Sequence, residues 1–229
     1  MKPPIFVVGC PRTGTTWVWG MLDAHPGTVS LLPEDAIGGP GIETAIFTHE
    51  AELSDDAIRE IVDRKMVGEE RVMLEKTPIH LWHLDRIWRL YPEARIVVLT
   101  RSPYGAVNAM IRARDIPGMD GWNPRGAWYR WAAAATITHE VQDDSRVKLV
   151  NYEQLTEGTE EVLAELLEWL GLAPTPEIAG MFDGVPAHTN PSGLIRKGTA
   201  DSWETELKPE MISFITRMLT ESIDREEAA

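Results

Sequence analysis

Short, unbroken apolar runs rich in β-branched residues recur along the chain at Ile5 to Val8, Val72 to Leu74, Ile96 to Leu99 and Val147 to Val150. Runs of that length without polar alternation suit strands covered on both faces, as in the middle of a parallel sheet. Between them lie stretches with apolar residues at helical spacing: Thr15 to His25, Asp55 to Val67, Ile79 to Tyr91, Tyr104 to Arg114, Trp122 to Val141 and Thr159 to Leu170. Strands alternating with helices predict an α/β fold, a single-domain parallel β-sheet flanked by helices over residues 1–229, with 224–229 as a frayed tail. Pro26-Gly27, Pro92 and Gly171 stand where helix stops belong. Leu31 to Thr48 and Gly184 to Ser202 have no clean period, and long irregular stretches inside a domain tend to carry function.

The composition, 43% hydrophobic and 25% charged, is that of an ordinary globular chain, and the formal charge is −14. That balance excludes a general nucleic-acid binder, which needs surplus cations to displace phosphate counterions. Any anion must be gripped by a local cluster of cations. The single cysteine, Cys10, allows no intrachain disulfide, cannot build a zinc site alone, and points to a reducing, cytoplasmic setting. No apolar stretch approaches the roughly 20 residues of a membrane span. The run at Ile5 reads as a first strand rather than a leader, and nothing in the sequence sets the oligomeric state.

The most informative segment is Gly9-Cys10-Pro11-Arg12-Thr13-Gly14-Thr15-Thr16, between a predicted strand and a predicted helix. A Gly-rich turn feeding a helix aims backbone N–H groups and the positive end of the helix dipole at one point, where a phosphate fits. The spacing is that of a nucleotide-binding P-loop, yet Thr15 stands in the lysine position, and the run at Ile96 ends in Arg101 rather than an acid. Both departures disfavour ATP or GTP hydrolysis with magnesium. They favour a ligand with a single 5′-phosphate and a cation, Arg12, within the loop.

Three segments together carry a resemblance. Pro11-Arg12-Thr13-Gly14-Thr15-Thr16-Trp17 resembles the 5′-phosphosulfate loop of sulfotransferases that use 3′-phosphoadenosine-5′-phosphosulfate (PAPS). Arg95 to Pro103, with Arg101, resembles the strand that opens the family's 3′-phosphate site. Ile195-Arg196-Lys197-Gly198, followed by Trp203, resembles its late Arg-Lys-Gly loop. The resemblance implies PAPS as co-substrate and PAP as product, with no metal. It implies that Arg101, Arg196, Lys197 and Gly198 hold the 3′-phosphate, and that Trp17 and Tyr152 contact the base. The family's Ser eight positions beyond the Arg is Ala109 here, with Asn108 and Ser102 as substitutes.

For catalysis the resemblance implies that Lys76, in Glu75-Lys76-Thr77-Pro78, approaches the sulfuryl group beside Arg12. The His that many members place two residues after that Lys is Pro78 here. A second branch, of protein-tyrosine and bacterial sulfotransferases, carries a loop Arg and a Glu base after a Leu-Asp-Ala-His-Pro turn. Leu22-Asp23-Ala24-His25-Pro26 matches that turn, which makes Glu34 the expected base and Asp35 its runner-up. His80 and His83 are further candidates, His25 reads as a helix cap, and Ser192 corresponds loosely to an active-site Ser.

The acceptor is expected to be a small hydroxylated molecule, since the acidic field repels polyanions, with the Leu31 to Thr48 and Ile116 to Pro124 loops shaping its pocket. Two other readings stand beside this one: a P-loop small-molecule or nucleoside kinase, and a catalytically silent nucleotide-binding protein, which Glu34, Lys76 and Arg12 failing to converge would support.

Overall fold

The computed structural model describes residues 2–38, 41–113, 121–179 and 200–227. Among them the strands β1 (Ile5–Gly9), β2 (Thr28–Ser30), β3 (Val72–Lys76), β4 (Arg95–Thr100) and β5 (Val147–Asn151) form a five-stranded sheet in the order β2-β3-β1-β4-β5. Each neighbouring pair is parallel, with Ile5 opposite Leu74 on one side of β1 and Arg95 on the other. The order reverses about β1, so the carboxyl ends of β1, β3 and β4 border the crevice where ligands bind in open α/β sheets. Residues 9–16, Lys76 and Arg101 all stand at that edge.

Burial on both faces explains the continuous apolar runs. Phe6 and Val8 of β1 face one core with Ile96, Val98, Ile58, Val62, Ile87 and Trp128, while Ile5 and Val7 face another with Val18, Leu22, Leu99, Leu163 and Leu167. The helices are α1 (Thr15–Asp23), α2 (Pro33–Ala36), α3 (Asp55–Met66), α4 (Leu84–Leu90), α5 (Pro103–Arg112), α6 (Pro124–Val141), α7 (Tyr152–Glu157), α8 (Thr159–Leu170), α9 (Pro176–Ala179), α10 (Trp203–Glu206) and α11 (Pro209–Glu227). Among the described residues, no helix is long and apolar enough to cross a membrane.

The differences from the sequence reading have local causes. The helix predicted from Ile79 to Tyr91 divides into a 3-10 turn, Pro78–His83, and α4, because His80 points into the core and bonds there to Glu75 and Phe47. Two elements fall in or before the aperiodic Leu31 to Thr48 stretch: β2 pairs with β3 over only three residues, and α2 is a single turn, both too short to show a period. Asn151 accepts a hydrogen bond from the Gln154 N–H and so starts α7, which was not predicted. The helix α11 continues to Glu227, well into the segment expected to fray.

Candidate active site

The turn after β1 can be built only with glycine at its start. A Cβ on Gly9, whose φ is +153°, would lie 2.6 Å from the Leu99 carbonyl oxygen, so any side chain would push β1 off β4. The Thr13 hydroxyl and N–H both donate to the Cys10 carbonyl, at 2.7 and 3.3 Å. Gly14, at φ +99°, then caps α1. Thr15 and Thr16 open the helix, and their N–H groups belong to the first turn, which has no intrahelical acceptors. Arg12 holds a left-handed φ of 72°, a conformation costing a non-glycine residue about 1 kcal/mol. Arg101 stabilises it by donating from Nη1 to the Arg12 carbonyl at 3.0 Å. Burial pushes the Cys10 thiol up to about 12, which makes it a packing residue rather than a nucleophile.

Arg101 links the loop to the neighbouring base-contact candidates. Its guanidinium lies 3.9 Å over the Tyr152 ring, and its carbonyl accepts from Trp131 Nε1. Tyr152 is buried against Gly14 and meets Trp17 edge-on, with ring centres 6.2 Å apart. Trp17 Nε1 is buried with no hydrogen-bond partner among the described residues, so this corner has a spare donor. The two substitutes for the absent Ser are already engaged. Asn108 Nδ2 donates to Glu206 Oε2 at 2.6 Å, and Ser102 Oγ accepts from the Gly105 N–H at the start of α5, which leaves the Ser102 hydroxyl proton to donate. Arg196, Lys197, Gly198 and Ser192 lie outside the described residues.

At the end of β3, Lys76 is fully enclosed, and its ammonium donates to Thr16 Oγ1 at 3.2 Å and to Glu43 Oε1 at 2.6 Å. Burial holds its pKa below the usual lysine value of 10.5 against the opposing pull of Glu43. The Arg12 charge adds to the lowering. The Lys76 ammonium thus stands against the first turn of α1, bonded to Thr16.

One strand position earlier, Glu75 is also fully buried. Its Oε1 accepts from the Thr77 and Thr44 hydroxyls at 2.7 and 2.8 Å, and its Oε2 lies 2.8 Å from His80 Nδ1. The Phe47 N–H donates to His80 Nε2, which leaves Nδ1 as the ring's donor to Glu75. Burial raises the pKa of Glu75, but its interactions with His80 and the hydrogen bonds of the two threonine hydroxyls outweigh it, so the carboxyl stays below its ordinary value.

The candidate bases are sorted by their partners. Asp35 Oδ2 accepts from the Leu32 N–H and from Lys65 Nζ, at 2.9 and 2.8 Å, so it ties α2 to α3 instead of facing Lys76. Glu34 is exposed on α2, and no described residue donates a hydrogen bond to it. His80 is sealed in the core by Glu75 and Phe47, while His83 packs on His49 with ring centres 5.0 Å apart. His25 is not the helix cap, which is Ala24. It accepts from the Gly27 N–H and reaches the Ala173 carbonyl at 2.7 Å, pinning the turn to the chain after α8. Glu43 escaped the sequence reading, because nothing in Gly41-Ile42-Glu43-Thr44 marks that carboxylate out from the other acidic residues. Among the described residues no group of His, Cys, Asp and Glu side chains could hold a metal ion.

A family model described as the sulfotransferase family matches residues 3–38 and 39–177. Protein-tyrosine sulfotransferase 1 of Danio rerio is 25% identical over 189 residues, which cover 74% of this chain and 53% of the relative. The protein-tyrosine sulfotransferase of Drosophila melanogaster is 27% identical over 188 residues, covering 73% of this chain and 38% of its own. The chain therefore spans about half the length, or less, of these two relatives. A sulfotransferase domain from the curacin biosynthetic pathway superposes with a TM-score of 0.63 at 21% identity, covering 96% of this chain and 98% of that one. A mouse sulfotransferase complexed with PAP gives 0.67 at 16% identity, covering 100% and 86%. These structural likenesses are of fold. The family match takes in β1 with its loop, Lys76, Arg101 and Tyr152, and the chain belongs to the sulfotransferase family.

Proposed function

We propose that the chain transfers a sulfuryl group from PAPS to a hydroxyl or amine of a small-molecule acceptor and releases PAP. The observation that carries this reading is the enclosed Lys76 ammonium bonded to Thr16 in the first turn of α1, directly after the loop that holds Arg12. Such a corner accepts an anion with strong charge at one end. When bound, PAPS supplies an activated sulfuryl group on a phosphate leaving group.

The chain's own residues do the rest. Residues 11–17 cradle the 5′ end, with N–H groups of the loop and of α1 toward the phosphate. Lys76 and Arg12 neutralise charge at the bridging oxygen. Tyr152 and Trp17 border the base, and Arg101 joins Arg196, Lys197 and Gly198 at the 3′-phosphate. A carboxylate of the 31–48 segment, which holds both Glu34 and Glu43, takes the acceptor's proton. Trp122, in the 116–124 loop expected to shape the acceptor pocket, has Arg130 5.7 Å from its ring. Thr15 in place of the P-loop lysine and Arg101 in place of an acid after β4 favour transfer without a divalent ion.

The test is calorimetric titration with PAP in the absence of magnesium, beside ATP with magnesium. Binding of PAP alone is the expected result, and preference for magnesium-ATP would replace this reading with a kinase. The double substitution Arg196→Ala, Lys197→Ala is expected to weaken PAP binding by about 10²-fold or more, since charged hydrogen bonds to phosphate contribute roughly 1.5–3 kcal/mol each. Unchanged affinity would remove both residues from the 3′-phosphate site.

A further inference from the structure

We propose that Glu43, rather than Glu34, is the general base of the reaction, an inference that rests on the sulfuryl-transfer reading above. Lys76 Nζ is held from two sides, by Thr16 of the phosphate loop's helix and by Glu43. The lysine therefore bridges the donor's anion corner and the Glu43 carboxylate, which meets it at 2.6 Å. While the lysine is enclosed, the Glu43 side chain is 48% exposed. A molecule arriving from solvent can thus reach Glu43 beside the enclosed Lys76. Glu34 has neither the lysine nor any other described hydrogen-bond partner.

The segment that follows Glu43 is unusually well anchored for a loop. Thr44 donates its hydroxyl to Glu75 at 2.8 Å, the Ala45 N–H donates to Thr77 Oγ1 at 3.1 Å, and the Phe47 N–H donates to His80 Nε2 at 3.3 Å. Ala45 takes a left-handed φ of 53° within that turn. Thr44, Ile46, Phe47 and Thr48 are all buried. The loop is thereby fastened to the end of the strand that carries Lys76, and Glu43 is the exposed residue at the point where the chain enters the core. This gives a carboxylate the fixed position that proton transfer requires.

The step balances without another reactant. The acceptor oxygen or nitrogen forms a bond to sulfur while its proton passes to a Glu43 carboxylate oxygen. The bond from sulfur to the bridging oxygen breaks, and its electron pair leaves on the 5′-phosphate of PAP. Lys76 is shared between Glu43 before donor binding and the departing oxygen during transfer, so the carboxylate is released when its proton-accepting role begins.

Single-turnover cleavage of PAPS with water as the acceptor tests this assignment, with PAP affinity measured on each variant by calorimetry. Glu43→Gln and Glu43→Ala should slow PAP formation by about 10²–10⁴-fold, with PAP affinity within about three-fold of wild type. Added formate, a carboxylate small enough to enter the space left by the side chain, should restore part of the Glu43→Ala rate and none to Lys76→Met. Glu34→Gln should stay within about three-fold of wild type. The proposal is overturned by near-normal turnover in Glu43→Gln, by a loss confined to Glu34→Gln, or by failure of formate to restore any rate, which would leave Glu43 only a partner for Lys76. A wild-type chain that binds no PAP, or binds it without ever cleaving PAPS, overturns instead the sulfuryl-transfer reading itself.

Discussion

Lys76→Met is expected to lower sulfuryl transfer by about 10²–10³-fold, the usual effect of removing one preorganised charge from a leaving-group or oxyanion site. Methionine has nearly the length of lysine and no charge to desolvate, so the end of β3 should remain packed. Replacing a buried ion pair by apolar groups of similar volume is often neutral or stabilising, and the partner left behind, Glu43, is half exposed and can be solvated by water. The pH dependence of stability gives an independent check. Lysine 76 has a folded pKa below 10.5, chiefly through burial, so the unfolded chain binds its proton more tightly. Wild-type stability therefore carries a penalty below the folded pKa that disappears as pH rises to 10.5 and above. Chemical denaturation of Lys76→Met should lack that rise. A variant that unfolds at neutral pH, or one that turns over normally, would contradict this role for Lys76.

Glu75→Leu should cause the largest loss of stability, about 3–5 kcal/mol, which corresponds to a fall in Tm of roughly 10 °C for a chain of this size. The substitution strands His80 Nδ1 and the Thr44 and Thr77 hydroxyls in a core with no water-exposed route for them. Glu75→Gln keeps the shape and an acceptor oxygen, so its loss should be much smaller. The acid side separates charge from shape. The folded pKa of Glu75 lies below its ordinary 4.5, because the His80 and threonine interactions outweigh the upward push of burial. The stability it contributes is complete above 4.5 and is lost as pH falls through the folded value. Denaturation curves followed downward from pH 7 should show a larger loss of stability in the wild type than in Glu75→Gln. Equal acid sensitivity in the two proteins would show that Glu75 carries no buried charge.

The legible part of this protein was whatever is written in consecutive residues. Ile5 to Val8 and Ile96 to Leu99 announced buried parallel strands because both faces of β1 and β4 meet a core, which removes the need for polar alternation. Gly9 and Gly14 were readable as a strand-to-helix turn because so tight a turn demands glycine at fixed spacing. The short β2 was not readable, since three residues held by pairing with β3 have no period of their own. The split of the predicted 79–91 helix was hidden for a related reason. Its cause is the buried Glu75–His80 bond, a tertiary contact that overrides local preference.

The sequence by itself determined the central sheet strands and the glycine-bounded turn from β1 into α1, because those features depend on neighbours within a few positions. Only the tertiary structure decided which carboxylate meets Lys76. Asp35 and Glu34 match the sequence pattern of a base, yet one is spent on Lys65 and the other faces solvent, while Glu43 arrives from an irregular stretch 33 positions before the lysine. That pairing follows from Thr44, Ala45 and Phe47 bonding to Glu75, Thr77 and His80 at the end of β3. Each of those bonds joins residues about 30 apart, and no local pattern of polar and apolar positions encodes such a distance.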